Sequence, residues 1–199
     1  MPLGQKGGYS EKFNVKPEKY KILLSSSAGV EEAYLIGLVW AAPLEKRQSD
    51  YLDYINNYRS KHSVPSLKYS NELYEIALNA AVQCNFDPVL TNQFTLPSSG
   101  NASINFYHSN INQPWDYIIS TWYNSGKSSY NYLSPVINAN TSTFINLVWK
   151  STQYVGCSTA DCTAITPDYP FMGVCVFNPS AEKDATPAVL NSNVLPSNN

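Results

Sequence analysis

Apolar positions along the second quarter of the chain recur at intervals of three and four, the period of a helix with one buried face. Ser49 is a candidate cap for a first helix running to about His62, with Leu52, Ile55 and the set Tyr51, Tyr54 and Tyr58 as its core-facing stripe. Ser70 or Asn71 opens a second helix, in which Leu73, Ile76, Ala77, Ala80, Ala81 and Cys84 fall on one side and Asp87-Pro88 marks the end. A polar stretch follows, then a short strand-like piece from Ile104 to Tyr107. Pro114 suits the start of a third helix with Trp115, Ile118, Ile119 and Trp122 on its apolar face. A turn-rich loop spans 126–140, and a short helix from about Thr141 carries Phe144, Leu147, Val148 and Trp149.

Two later runs, 154–157 and 171–177, are rich in β-branched and aromatic residues and predict buried strands. The last twenty residues, 180–199, dominated by Ser, Asn and Pro, are expected to be disordered. Helices first and paired strands afterwards predict an α+β domain with an α-β-α layering.

The N-terminal segment has a different pattern. Its longest apolar run, Ala33 to Pro43, is well short of the roughly 20 residues that span a bilayer, so no stable membrane span is expected. The run suits the h-region of a signal peptide, although Glu31 and Glu32 stand where cations are usual. Lys46-Arg47 follows, a dibasic pair of the kind cut by processing proteases; residues 1–47 are therefore expected to be a signal or pro-segment, with the working domain starting at Gln48. Sequons at Asn101 and Asn140 and an even count of four cysteines agree with a secreted, extracellular protein. Four cysteines allow three disulfide pairings, and a zinc site is disfavoured because Cys157 and Cys162 have no CxxC partner pair.

Composition narrows the function classes. With 13 Lys+Arg against 15 Asp+Glu there is no basic surplus for a phosphate backbone, so nucleic acid is not an expected partner. No GxSxG elbow or glycine-rich phosphate loop occurs, and His62 and His108 both read as solvated surface residues. No enzymatic activity and no cofactor are expected.

Three separated motifs carry a resemblance. Phe144 to Cys157 (FINLVWKSTQYVGC) is similar to the HFTQVVWKST…GC signature of the CAP superfamily, which covers cysteine-rich secretory, antigen five and pathogenesis-related proteins. Gly173 to Pro179 (GVCVFNP) resembles part of its second signature, and Ile55 to Arg59 (INNYR) its N-terminal H-N-x-x-R stretch. The likeness covers 49–179 and implies a CAP-type α-β-α sandwich, a small antiparallel sheet between helical layers, with disulfides Cys84–Cys162 and Cys157–Cys175. It also places the family's metal-binding tetrad of two His and two Glu at Pro88, Ile104, Ser125 and Thr143, none of which offers an imidazole or carboxylate, so no metal is expected.

Ser129 to Ile137 (SYNYLSPVI) resembles the aromatic loop of secreted fungal Pry-type proteins, which is linked to sterol binding and export. That likeness implies a lipid-binding loop of Tyr130, Tyr132, Pro135, Val136 and Ile137, with a sterol, sterol ester or fatty acid as partner. The competing expectation is an extracellular interaction protein, wall-associated or host-directed, that uses the domain as a scaffold for a protein partner.

Overall fold

The computed structural model describes residues 44–85, 95–96, 100–181 and 185–198, with only the backbone for 44–49, 95, 96 and 100. The leader expected over 1–47 therefore lies outside the described residues except for its last turn, and Lys46 and Arg47 fall at the start of helix α1 (Leu44–Lys61).

On α1 the buried line is Tyr51, Ile55 and Arg59, continued by His62 just beyond the helix; Tyr54, expected inside, is 41% exposed. The i, i+4, i+8 spacing puts an arginine where a third apolar residue would normally sit. Arg59 is fully buried, and its guanidinium donates to four main-chain carbonyls: Nε to Pro65 at 2.7 Å, Nη1 to Leu147 at 2.9 Å and Trp149 at 3.0 Å, and Nη2 to Thr152 at 3.2 Å. No carboxylate is among these partners, and burial pushes its pKa down to about 10.

Strand β1 (Lys68–Tyr69) leads to α2 (Asn71–Val82), which Ser70 caps by accepting from the Leu73 N–H at 3.3 Å. Strands β2 (Thr95–Leu96) and β3 (Gly100–Asn101) pair as a small antiparallel ribbon. Then come β4 (Ser103–Ser109), α3 (Trp115–Ser129) and α4 (Ser142–Val148), followed by β5 (Tyr154–Asp161), β6 (Phe171–Asn178) and α5 (Pro187–Asn193).

The main sheet has the order β1-β5-β6-β4, antiparallel as expected except that the short β1 runs parallel to β5. β6 is buried at all eight positions, because both of its faces are covered. Met172, Val174 and Val176 face α2 and pack with Leu73, Ala77 and Ala81. Phe171, Cys175 and Phe177 join the larger core formed with α1, α3 and α4, which includes Ile55, Ile118, Trp122 and Phe144. The expected α-β-α sandwich is formed.

Gly156 permits the α2–β5 approach, since a Cβ there would stand 2.0 Å from the Tyr74 main-chain nitrogen. Both disulfides implied by the family resemblance are present: Cys84–Cys162 joins the residue just past α2 to the end of β5, and Cys157–Cys175 joins directly opposed residues of β5 and β6.

The C-terminal residues correct an expectation. Far from being disordered throughout, the tail forms α5, with Thr186 as cap and Pro187 in the first turn, and inserts Leu190 (1% exposed) and Val194 (0%) into the larger core. The polar composition concealed two apolar residues four apart behind a Thr-Pro start signal.

Arg59→Lys keeps the charge but cannot reach four acceptors from one ammonium. It is expected to lower the unfolding free energy by about 3 kcal/mol, read as a lower urea midpoint at unchanged slope.

Candidate functional site

The loop between α3 and α4 carries the lipid-contact residues expected from sequence. α3 stops at Tyr130, whose backbone turns to the extended region at φ −83° and ψ 120°. Asn131 then folds the chain over: its Oδ1 accepts from the Leu133 N–H at 2.9 Å and its carbonyl accepts from the Ser134 N–H at 3.2 Å. The tip so formed presents Leu133, 96% exposed, and Val136, 53% exposed, while Pro135 between them is buried.

Thr141 pins the far end. Its hydroxyl donates to the Val136 carbonyl at 2.9 Å and accepts from the Asn138 N–H at 3.0 Å, and Asn138 Oδ1 accepts from the N–H groups of Asn140 at 2.9 Å and Thr141 at 3.2 Å. The loop is thus tied at both ends by its own hydrogen bonds.

Beneath it runs a chain of aromatic rings. Tyr132 meets Tyr130 edge-on at 4.8 Å, Tyr130 packs on Phe144 at 5.5 Å, Phe144 meets Tyr123 at 5.5 Å, and Tyr123 stacks on Tyr58 at 4.0 Å. Tyr130 is therefore a core residue, 7% exposed, and its ring is not spread over an open groove. The hydroxyls of Tyr130 and Tyr132 are buried without a hydrogen-bond partner among the described residues, and burial pushes both phenols up to about 12.

The aromatic chain ends at a groove of about 370 Å³ between the C-terminal ends of α1 and α3, lined by Tyr58, Lys61, Tyr123, Asn124, Lys127 and Asn198. Lys61 Nζ lies 4.7 Å from the Tyr58 ring centre; Lys127 Nζ lies 5.3 Å from that of Tyr123 and donates to Ser197 Oγ at 2.9 Å. Sequence reasoning missed this groove. The available signal was a Tyr–Lys pair one turn apart on each of two helices.

His62, bonded to the Tyr123 hydroxyl, corrects another expectation, for it is fully buried. Its Nδ1 lies 2.5 Å from the Leu195 carbonyl and its Nε2 2.8 Å from the Tyr123 hydroxyl. Because a carbonyl only accepts, the neutral ring carries its proton on Nδ1 and takes the Tyr123 O–H at Nε2. Desolvation lowers its pKa, helped by the nearby cations Lys127, Arg59 and Lys61. His108 is exposed on β4, with its ring edge-on to Tyr169.

The four tetrad positions do not form a donor set. Ile104 is an alkyl side chain on β4, Ser125 is exposed and donates to the Thr121 carbonyl, Thr143 donates to the Trp122 carbonyl, and Pro88 lies outside the described residues. Next to them a buried amide pair occupies the interior: Asn146 Nδ2 donates to Asn105 Oδ1, and Asn105 Nδ2 to the Thr143 carbonyl, both at 2.9 Å. Asn101 and Asn140, the sequon asparagines, are both exposed.

The family model described as CAP, the cysteine-rich secretory protein family, matches residues 52–177. The chain belongs to the CAP family. A human relative, Golgi-associated plant pathogenesis-related protein 1, is 28% identical over 108 residues, 54% of this chain and 69% of its own. Venom allergen-like protein 4 of Schistosoma mansoni has a similar fold, with a TM-score of 0.58 at 16% identity over 75% of this chain and 93% of that one. The hookworm platelet inhibitor is similar too, with a TM-score of 0.55 at 19% identity over 77% and 76%. These likenesses establish the shared fold. The two disulfides of this CAP domain fit an extracellular environment. Among the described residues no helix is long and apolar enough to cross a membrane.

The buried imidazole makes stability depend on pH. Below the ordinary imidazole pKa of about 6.5 the unfolded chain takes up a proton that folded His62 resists, so its contribution to stability falls as pH drops from there toward the lowered folded value. Urea midpoints measured from about pH 8 to about pH 5 should show this fall. His62→Gln should have a lower midpoint throughout and a flatter slope across the window.

Proposed function

We propose that this CAP domain is a secreted binding protein for a small apolar lipid, a sterol or sterol ester or a fatty acid, with the ligand covered by the loop of Tyr130, Tyr132, Pro135, Val136 and Ile137. It needs neither a metal nor a catalytic group. The observation that carries the proposal is the pair of buried phenolic hydroxyls of Tyr130 and Tyr132, which have no hydrogen-bond partner among the described residues. Leaving such groups unpaired costs about 1–3 kcal/mol each, and the polar end of an otherwise apolar ligand would recover part of that. The loop around them supports the same chemistry, because no charged residue stands between Lys127 and Lys150. Affinity would come mainly from apolar area removed from water, with few polar contacts.

A second proposal, an extracellular interaction protein, is favoured by a different observation. Tyr130 sits in the core against Phe144, so the loop's aromatic residues have a packing role that requires no ligand. In that case the domain is a rigid frame, possessing exposed loops and the groove at Lys61 and Lys127 as contact surfaces, with a wall component or a host protein as partner.

Equilibrium binding of a labelled sterol separates the two. Tyr130→Ala would remove a core ring and confuse folding with binding, so Tyr130→Phe/Tyr132→Phe is the informative variant. The parent is expected to bind saturably and the folded Phe variant about tenfold more weakly. Absence of saturable binding by a folded, disulfide-intact parent would overturn the lipid proposal.

A further inference from the structure

We propose that the 131–136 turn is a contact for the surface of a lipid bilayer, with Leu133 and Val136 entering its interfacial layer. Isolated exposed apolar side chains are ordinary on protein surfaces, but four features set this pair apart. Leu133 is 96% exposed and Val136 53%, on one turn and with Pro135 packed beneath them. The turn is held out by its own bonds: Thr141 fixes Val136 from inside, and Asn131 fixes Leu133 and Ser134. Those bonds also satisfy the Leu133 and Ser134 amide donors internally, so the tip leaves fewer unpaired groups when it loses water. Finally, the stretch between Lys127 and Lys150 holds no charge to resist transfer from water.

A neutral tip of this kind fits a zwitterionic surface and does not depend on anionic headgroups. One leucine and half a valine give weak, reversible contact, as a molecule that must leave the membrane again requires. That use of the contact, loading or unloading a ligand under the same loop, rests on the lipid-binding proposal; the contact itself does not.

The test is surface-pressure change when full-chain protein is injected beneath a phosphatidylcholine monolayer. The parent should raise the pressure, Leu133→Asp/Val136→Asp should reduce the rise about fivefold or more, and Leu133→Trp should increase it. Both side chains are exposed, so urea midpoints of the variants should match the parent. Equal pressure rises by parent and Asp variant, or no rise by the parent, would overturn the proposal. So would a rise that appears only with added phosphatidylserine and is lost on changing Lys61 and Lys127, which would place the contact at the cationic groove. A parent that inserts into the monolayer but binds no sterol supports the surface contact while removing the lipid-carrier proposal.

Discussion

A fully buried guanidinium that donates to four main-chain carbonyls holds this domain together. Arg59 stands at the end of α1, and its guanidinium fork satisfies carbonyls of the segment after α1 and of the α4–β5 connection. Those carbonyls belong to the end of a short helix and a tight connection, where the helical pattern leaves acceptors unpaired. Arg59 therefore resolves two problems together: its own desolvation and that of oxygens about ninety residues away in sequence. The position of α4 then determines Phe144, and Phe144 determines Tyr130, Tyr123 and His62.

The sheet depends on close approach. With β6 buried on both faces, the layers on either side must fit it without gaps. Gly156 lets α2 lie against β5 at backbone contact, and Gly126 allows the corresponding approach of α3 to α4, where a Cβ would stand 2.3 Å from Phe144 Cβ. The two disulfides reinforce the same pieces: one ties the α2 end to the end of β5, the other crosses the middle of β5 and β6. Within that frame a buried polar pair, Asn105 on β4 and Asn146 on α4, is satisfied by a direct amide–amide hydrogen bond.

Most of this frame was legible in the sequence because it is written in local periodicity and in motifs that have one structural use. The helical spacing of α2 and α3, the apolar runs of β5 and β6 and the INNYR stretch each correspond to an element in place. What escaped is contact between distant segments. His62 and its polar neighbours looked solvated because nothing local reveals that Leu195 and Tyr123 close over it. The tail looked disordered because composition outweighs two apolar residues, and Leu190 and Val194 acquire meaning only once a core exists to receive them. Tyr54 shared a spacing with Tyr51 and Tyr58 but faces water, since the buried line of α1 runs through Tyr51, Ile55 and Arg59. In the loop between α3 and α4 the aromatic residues stood out in the sequence, but nothing there showed that Tyr130 is a core residue while Leu133 lies exposed.

That division is the last step from structure to function. Within one short loop, Tyr130 belongs to the core, Thr141 and Asn138 set the backbone, Leu133 faces solvent and Val136 is half exposed. Residues that stabilise the fold and residues free to meet a ligand or surface are thus separated by one or two positions. A change at Tyr130 propagates through Phe144 toward α4 and the groove, whereas a change at Leu133 touches nothing else in the molecule's interior. The core leaves unused in this loop two phenolic oxygens with no hydrogen-bond partner among the described residues, the exposed side chain of Leu133 and about half of Val136.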